Sequence, residues 1–163
     1  MRVSLRRSVP ALLAAALVVA TSTLALAQDK DPANGTWKLN VAKSKFSPGP
    51  APKEMTATIE SAGPGRHVEV SGSAADGTAI KWGYSGNYDR KEIRVTGANP
   101  DADVVMLRRL SPTTVRSTYK KDGKQTLVNG VSVSADGKTL SVAQSGVNAK
   151  GQTVKNTLVF DKQ

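Results

Sequence analysis

Trp82, Tyr84 and Tyr88 share the stretch IKWGYSGNY with Ile80 and Gly86, and all five sit at even positions. On an extended backbone successive side chains alternate between faces, so these residues make an aromatic strip along one side of a strand. Such a strip is either core packing or the wall of an apolar pocket. A polar counterpart follows in DVVMLRRLSPTTVRSTYKK. Both phases of its first half begin apolar and both reach an arginine, so one of Arg108 and Arg109 shares a face with buried residues. On the next strand Arg116 alternates with Val115 and Ser117, opposite in phase to Tyr119. An arginine drawn into an apolar interior needs an anionic partner, which a ligand carboxylate or an Asp would supply. Trp82, Tyr84 and Tyr119 are therefore candidate ligand contacts, and Arg108 or Arg116 is the candidate anchor for an anionic end.

Bond-making chemistry has little to draw on. The chain has one histidine and no cysteine. His67 stands out of phase with Val68 and Val70, which places it toward solvent. Asp101-x-Asp103 lacks the Gly turn and distal Glu of a helix-loop-helix calcium site. No Gly-x-Ser-x-Gly elbow is present, and Gly63-Pro64-Gly65 is not followed by the Lys-Ser/Thr of a phosphate cradle. The expectation is a protein without enzymatic activity, metal or cofactor. A hydrolase built from dispersed carboxylates is the outlying alternative.

The start of the chain bears on where it works. Arg2, Arg6 and Arg7 precede the apolar run ALLAAALVVA, and Ala25-Leu26-Ala27 has the small-x-small form of a cleavage site. Residues 1–27 are thus expected to be a signal peptide read by the general secretory route, with cleavage near Ala27. The apolar run is shorter than the roughly 20 residues of a membrane span, so no integral span is expected. The product would be exported, to the periplasm or the medium. Without Arg2, Arg6 and Arg7 the chain keeps 20 basic residues against 13 acidic ones. These cations are spread in pairs and triplets, such as Arg90-Lys91 and Lys120-Lys121, in the manner of protected strand edges. With no recognisable nucleic-acid motif, nucleic acid is not an expected partner, whereas an anionic envelope surface is a possible one.

The elements that must position the strip follow from periodicity. Residues 28–163 are expected to form a single domain, of a size that supports one core. Apolar and polar residues alternate in EMTATIES, HVEVSGSA and TAIKWGYSGNY, and the runs EIRVTG, DVVMLRRL, TVRSTYKK, QTLVNGVSVS, TLSVAQS and TVKNTLVFD continue the pattern. SPGPAPK interrupts it, since each proline lacks a ladder N–H. ADGT, KDGK, ADGK and AKGQ, ending at Thr78, Lys124, Lys138 and Gln152, are expected to be two-residue hairpin turns. The class is all-β. An antiparallel up-and-down meander of about eight to ten strands loses its edges by closing into a barrel.

The head of that meander, GTWKLN from Gly35, carries a family resemblance. A Gly-x-Trp on the first strand of such a barrel is similar to the lipocalin or calycin type. NGTWKLNVAKSKFSPGPAPKEMTATIE together with VSADGKTLSVAQSGVNAKGQTVKNTLVFDKQ resembles small exported bacterial lipocalin-like proteins. The resemblance implies that Gly35 and Trp37 form the structural plug of the barrel, with an arginine of the last strand against the indole. Here that strand carries Lys155 and Lys162 instead, so a lysine, or an arginine from elsewhere, would take the place. The expected function is binding of a small apolar or amphipathic ligand inside the barrel of a monomer. The alternative is a filled barrel acting through its basic surface on an envelope polymer, an anionic lipid or a partner protein.

Overall fold

The computed structural model describes residues 31–163. The expected signal peptide, residues 1–27, lies outside the described residues. Eleven antiparallel strands form one sheet: β1 Gly35–Leu39, β2 Glu54–Ala62, β3 Gly65–Ser73, β4 Ala79–Asn87, β5 Ile93–Arg94, β6 Thr96–Ala98, β7 Val104–Ser111, β8 Thr114–Lys121, β9 Lys124–Val133, β10 Thr139–Val147 and β11 Thr153–Lys162. Their order in the sheet is β5-β7-β8-β9-β10-β11-β1-β2-β3-β4-β6. Because β1 pairs with both β2 and β11, the meander wraps round into a nearly closed barrel. The all-β up-and-down architecture is the one read from the sequence.

The extra strand has a local cause. EIRVTG is a single run in the sequence, but its two halves pair with different neighbours. Ile93 and Arg94 pair with β7, whereas Thr96 to Ala98 pair with β4. The chain changes partner at Val95, whose N–H bonds Asp103 O. This short segment spans the interval between β4 and β7 and leaves the ladder broken at one place.

The turns divide into two kinds. Asp122 and Gly123, at φ +50° and +74°, form the expected two-residue link between the paired Lys121 and Lys124. The other three are longer. Gly77 N–H bonds Ala74 O while Ala74 N–H bonds Thr78 O, the same pair of bonds recurs at Asn148–Gln152, and Ser134–Thr139 closes likewise with one more residue in the loop. Asp76, Asp136 and Asn148 accept from the backbone N–H two residues on, which stabilises a tighter first bend followed by a left-handed glycine.

Alternation sorts the residues as the barrel requires. Val68, Val70, Leu107, Leu140, Val142, Leu158 and Phe160 are buried, and the intervening positions are more exposed. At one end, the β2–β3, β4–β5 and β7–β8 turns gather round the Asp31–Asn34 entry segment. The other end carries the proline-rich link before β2 and the loops at residues 74–78 and 99–103.

Candidate functional site, an apolar cavity above a charged floor

Trp37 is wholly buried and closes the first end. Its Nε1–H donates to Ala33 O at 2.7 Å, and Lys162 Nζ lies 5.0 Å from the ring centroid. The cation over the indole is therefore a lysine. Gly35, at φ +131°, allows the stem of Lys162 to cross there, since a Cβ would stand 3.0 Å from its Cε.

Beside this plug lies a knot of four polar side chains. Asp31 Oδ2 accepts from Arg109 Nη2 at 2.6 Å, Tyr88 Oη at 2.9 Å and Arg66 Nη2 at 3.3 Å, while Oδ1 accepts from Ala33 N–H at 3.0 Å. Tyr88 Oη accepts in turn from Arg66 Nε at 2.7 Å and Arg109 Nη2 at 2.8 Å. Both guanidiniums lie over the Tyr88 ring, at 5.3 and 4.3 Å from its centroid. Burial disfavours ionisation of Asp31. The Ala33 N–H, the Arg66 charge and the bonds from Tyr88 and Arg109 outweigh it and hold the carboxyl below its ordinary range. Two guanidiniums share this one carboxylate, so the knot keeps an excess positive charge.

Above the knot the interior is apolar and incompletely filled. A cavity of about 650 Å³ runs from Pro48, Pro50 and Pro52 at the open end, past Met55, Trp82 and Tyr84, to Arg66 at its floor. A second lobe of about 760 Å³ opens beneath the 99–103 loop and shares Trp82, Tyr119, Asn129 and Gln144 in its wall. Trp82 stacks on Tyr84 at 6.4 Å and meets Tyr119 edge-on at 6.3 Å. Burial pushes both phenols up in pKa, Tyr119 further because Tyr84 faces it. They are neutral donors and acceptors near pH 7.

The three aromatic candidates, Trp82, Tyr84 and Tyr119, thus lie together in the cavity wall. The two arginine candidates do not. Arg108 and Arg116 are direct cross-strand partners and both are exposed on the outer face. This corrects the expected anchor. β7 points Val105 and Leu107 inward, so Arg109, in their phase, turns toward the interior and Arg108 turns away. The buried arginine is Arg66, which is 2% exposed. It shares the phase of Val68 and Val70, a signal visible in GRHVEV once the strand is begun at Gly65 rather than His67.

The remaining candidates have structural occupations. His67 Nε2 lies 3.4 Å from Glu69 Oε1 at the outer face. Asp101 accepts from Ala149 N–H and Asp103 from Asp122 N–H, so each staples neighbouring turns. Among the described residues no three His, Cys, Asp or Glu side chains cluster as metal ligands. No helix there is long and apolar enough to cross a membrane.

No protein-family profile matches the chain. No curated protein matches it. Among solved structures, it is similar to a zebrafish ileal bile acid-binding protein complexed with cholic acid, at 10% identity and a TM-score of 0.47. The likeness covers 81% of this chain and 99% of that one.

Proposed function

We propose that this chain is an exported, non-enzymatic barrel that binds a small apolar or amphipathic molecule in its cavity. One observation carries the reading: an apolar cavity of about 650 Å³, open at one end, walled by Trp82, Tyr84 and Tyr119 and floored by the buried Arg66. Ligand clefts run from about 300 to 1,000 Å³, and a stack of aromatics bordering such a space offers apolar contact at little cost in side-chain entropy. The excess positive charge at the floor favours a ligand whose leading end is anionic. Arg66 thereby takes the role that the sequence suggested for Arg108 or Arg116. Export rests on residues 1–27, and the site of action is then the periplasm or the medium.

A titration with fatty acids, isoprenoids and aromatic acids, followed by tryptophan fluorescence, tests the reading. Trp82 borders the cavity, so a bound ligand is expected to shift its emission saturably. No saturable binding across the three classes would contradict it.

A second reading is supported by the Arg108–Arg116 pair. Like charges directly opposite on an exposed sheet face repel. An anionic polymer or lipid surface laid across them would relieve that repulsion. Contact of this kind would weaken steeply with added salt, unlike burial of an apolar ligand.

A further inference from the structure

The apolar wall contains one polar band. Ser117 of β8, Asn129 of β9, Gln144 of β10 and Asn156 of β11 are successive register partners. All four occupy inward positions, in phase with Val115, Leu127, Val142 and Leu158 on their own strands. Side chains directly opposite on one face of a sheet have Cβ atoms about 4.5 to 5.5 Å apart, so the four form a continuous row. A polar row inside an apolar barrel is costly unless its groups are bonded.

The row is only partly bonded by the protein. Ser47 N–H donates to Asn156 Oδ1 at 2.8 Å, and Asn156 Nδ2 donates to Gln144 Oε1 at 2.8 Å. That orders the Gln144 amide, with Oε1 held by Asn156 and Nε2 as its remaining donor group. Asn129 Oδ1 is buried and has no donor. Asn129 and Gln144 face each other across β9 and β10, and both line both lobes of the cavity. One unmet acceptor therefore stands across the ladder from an amide whose oxygen is already engaged.

We propose that Asn129 and Gln144 recognise a hydroxyl group carried part-way along the ligand. Its O–H donates to Asn129 Oδ1, and its oxygen accepts from Gln144 Nε2. A hydroxyl meets both needs with one small neutral group. A carbonyl or ether would leave Asn129 Oδ1 unpaired, and an ammonium would bring a charge that this part of the wall does not balance. The ligand class is accordingly a hydroxylated apolar molecule rather than a plain hydrocarbon chain. This inference rests on the cavity being the ligand site.

The test compares stearic acid with hydroxystearic acids bearing the hydroxyl on successive mid-chain carbons, by calorimetric titration of the purified protein. At least one isomer is expected to bind about tenfold or more tightly than stearic acid, since a site built to bond a hydroxyl discriminates against its absence. Asn129→Leu is expected to abolish that preference, with circular dichroism reporting that the variant is folded. Gln144→Met, which keeps the volume and removes the donor, should reduce the preference and carries the test if Asn129→Leu does not fold. Equal wild-type affinity for all the acids, or a preference that survives both substitutions, would overturn the hydroxyl assignment and leave the cavity reading standing. Failure of every acid to bind would remove the cavity reading and this inference with it.

Discussion

At the closed end of the barrel, charged groups brought inside find partners: Asp31, Arg66, Tyr88 and Arg109 bond one another, and Trp37 bonds Ala33. Toward the open end the interior holds aromatic and aliphatic walls around unfilled space, and its amide row has an acceptor without a donor. The first region spends its side chains on each other. The second leaves them facing a cavity. One sheet with a uniform period can build both, because the strand fixes which residues point inward and the residue types decide whether they meet or leave a gap. The difference teaches where to look for stability and where for recognition.

Asp31→Ala should break the comparison most severely, because it leaves Arg66 buried beside Arg109 without a counterion. A loss of about 3 to 5 kcal/mol is expected, as for other broken buried pairs, measurable by denaturant unfolding. The pH dependence carries a sign. The folded pKa of Asp31 lies below its ordinary 3.8, so its stabilisation is fully present above that value and is lost as pH falls through the lower folded value. The gap between wild type and Asp31→Ala should therefore be constant down to the ordinary value and narrow below it. A gap that already narrows well above it would show that the carboxylate is not held by the arginines.

Trp82→Ala sharpens the contrast from the other side. Trp82 is half-buried and borders the cavity, so its removal should cost less than about 2 kcal/mol of stability, below the usual range for a packed tryptophan. Ligand affinity should fall about tenfold or more. Equal stability losses at Trp82 and at the wholly buried Trp37 would mean that the open end is packed as a core. The smallest effect belongs to Lys162→Ala, which removes the cation over Trp37 and should cost about 0.5 to 1 kcal/mol without changing ligand affinity.

How much of this was legible depended on which residues carried a periodic signal. The strands and the inward phase of Trp82 and Tyr84 followed from alternation, which reports the face of a strand directly. The partner switch at Val95 did not, because nothing in EIRVTG marks which neighbour each half will pair with. Arg66 was visible in the phase of Val68 but hidden by starting the strand at His67 rather than Gly65. Asp31 was not, because a counterion in an irregular entry segment has no period. Asn129, Gln144 and Asn156 stand in QTLVNGVSVS, TLSVAQS and TVKNTLVFD at the apolar phase. Their alignment into one row needed the register of four strands, which pairing alone supplies.

Native mass spectrometry of the protein purified from its native source, followed by organic extraction and small-molecule analysis, addresses the central claim most directly. The account predicts a stoichiometric amphiphile, released on extraction, with an anionic end and a hydroxyl along an apolar body. A clean mass with nothing extractable, together with tryptophan emission that no fatty acid, isoprenoid or aromatic acid shifts, would contradict it and turn attention to the exposed Arg108–Arg116 face.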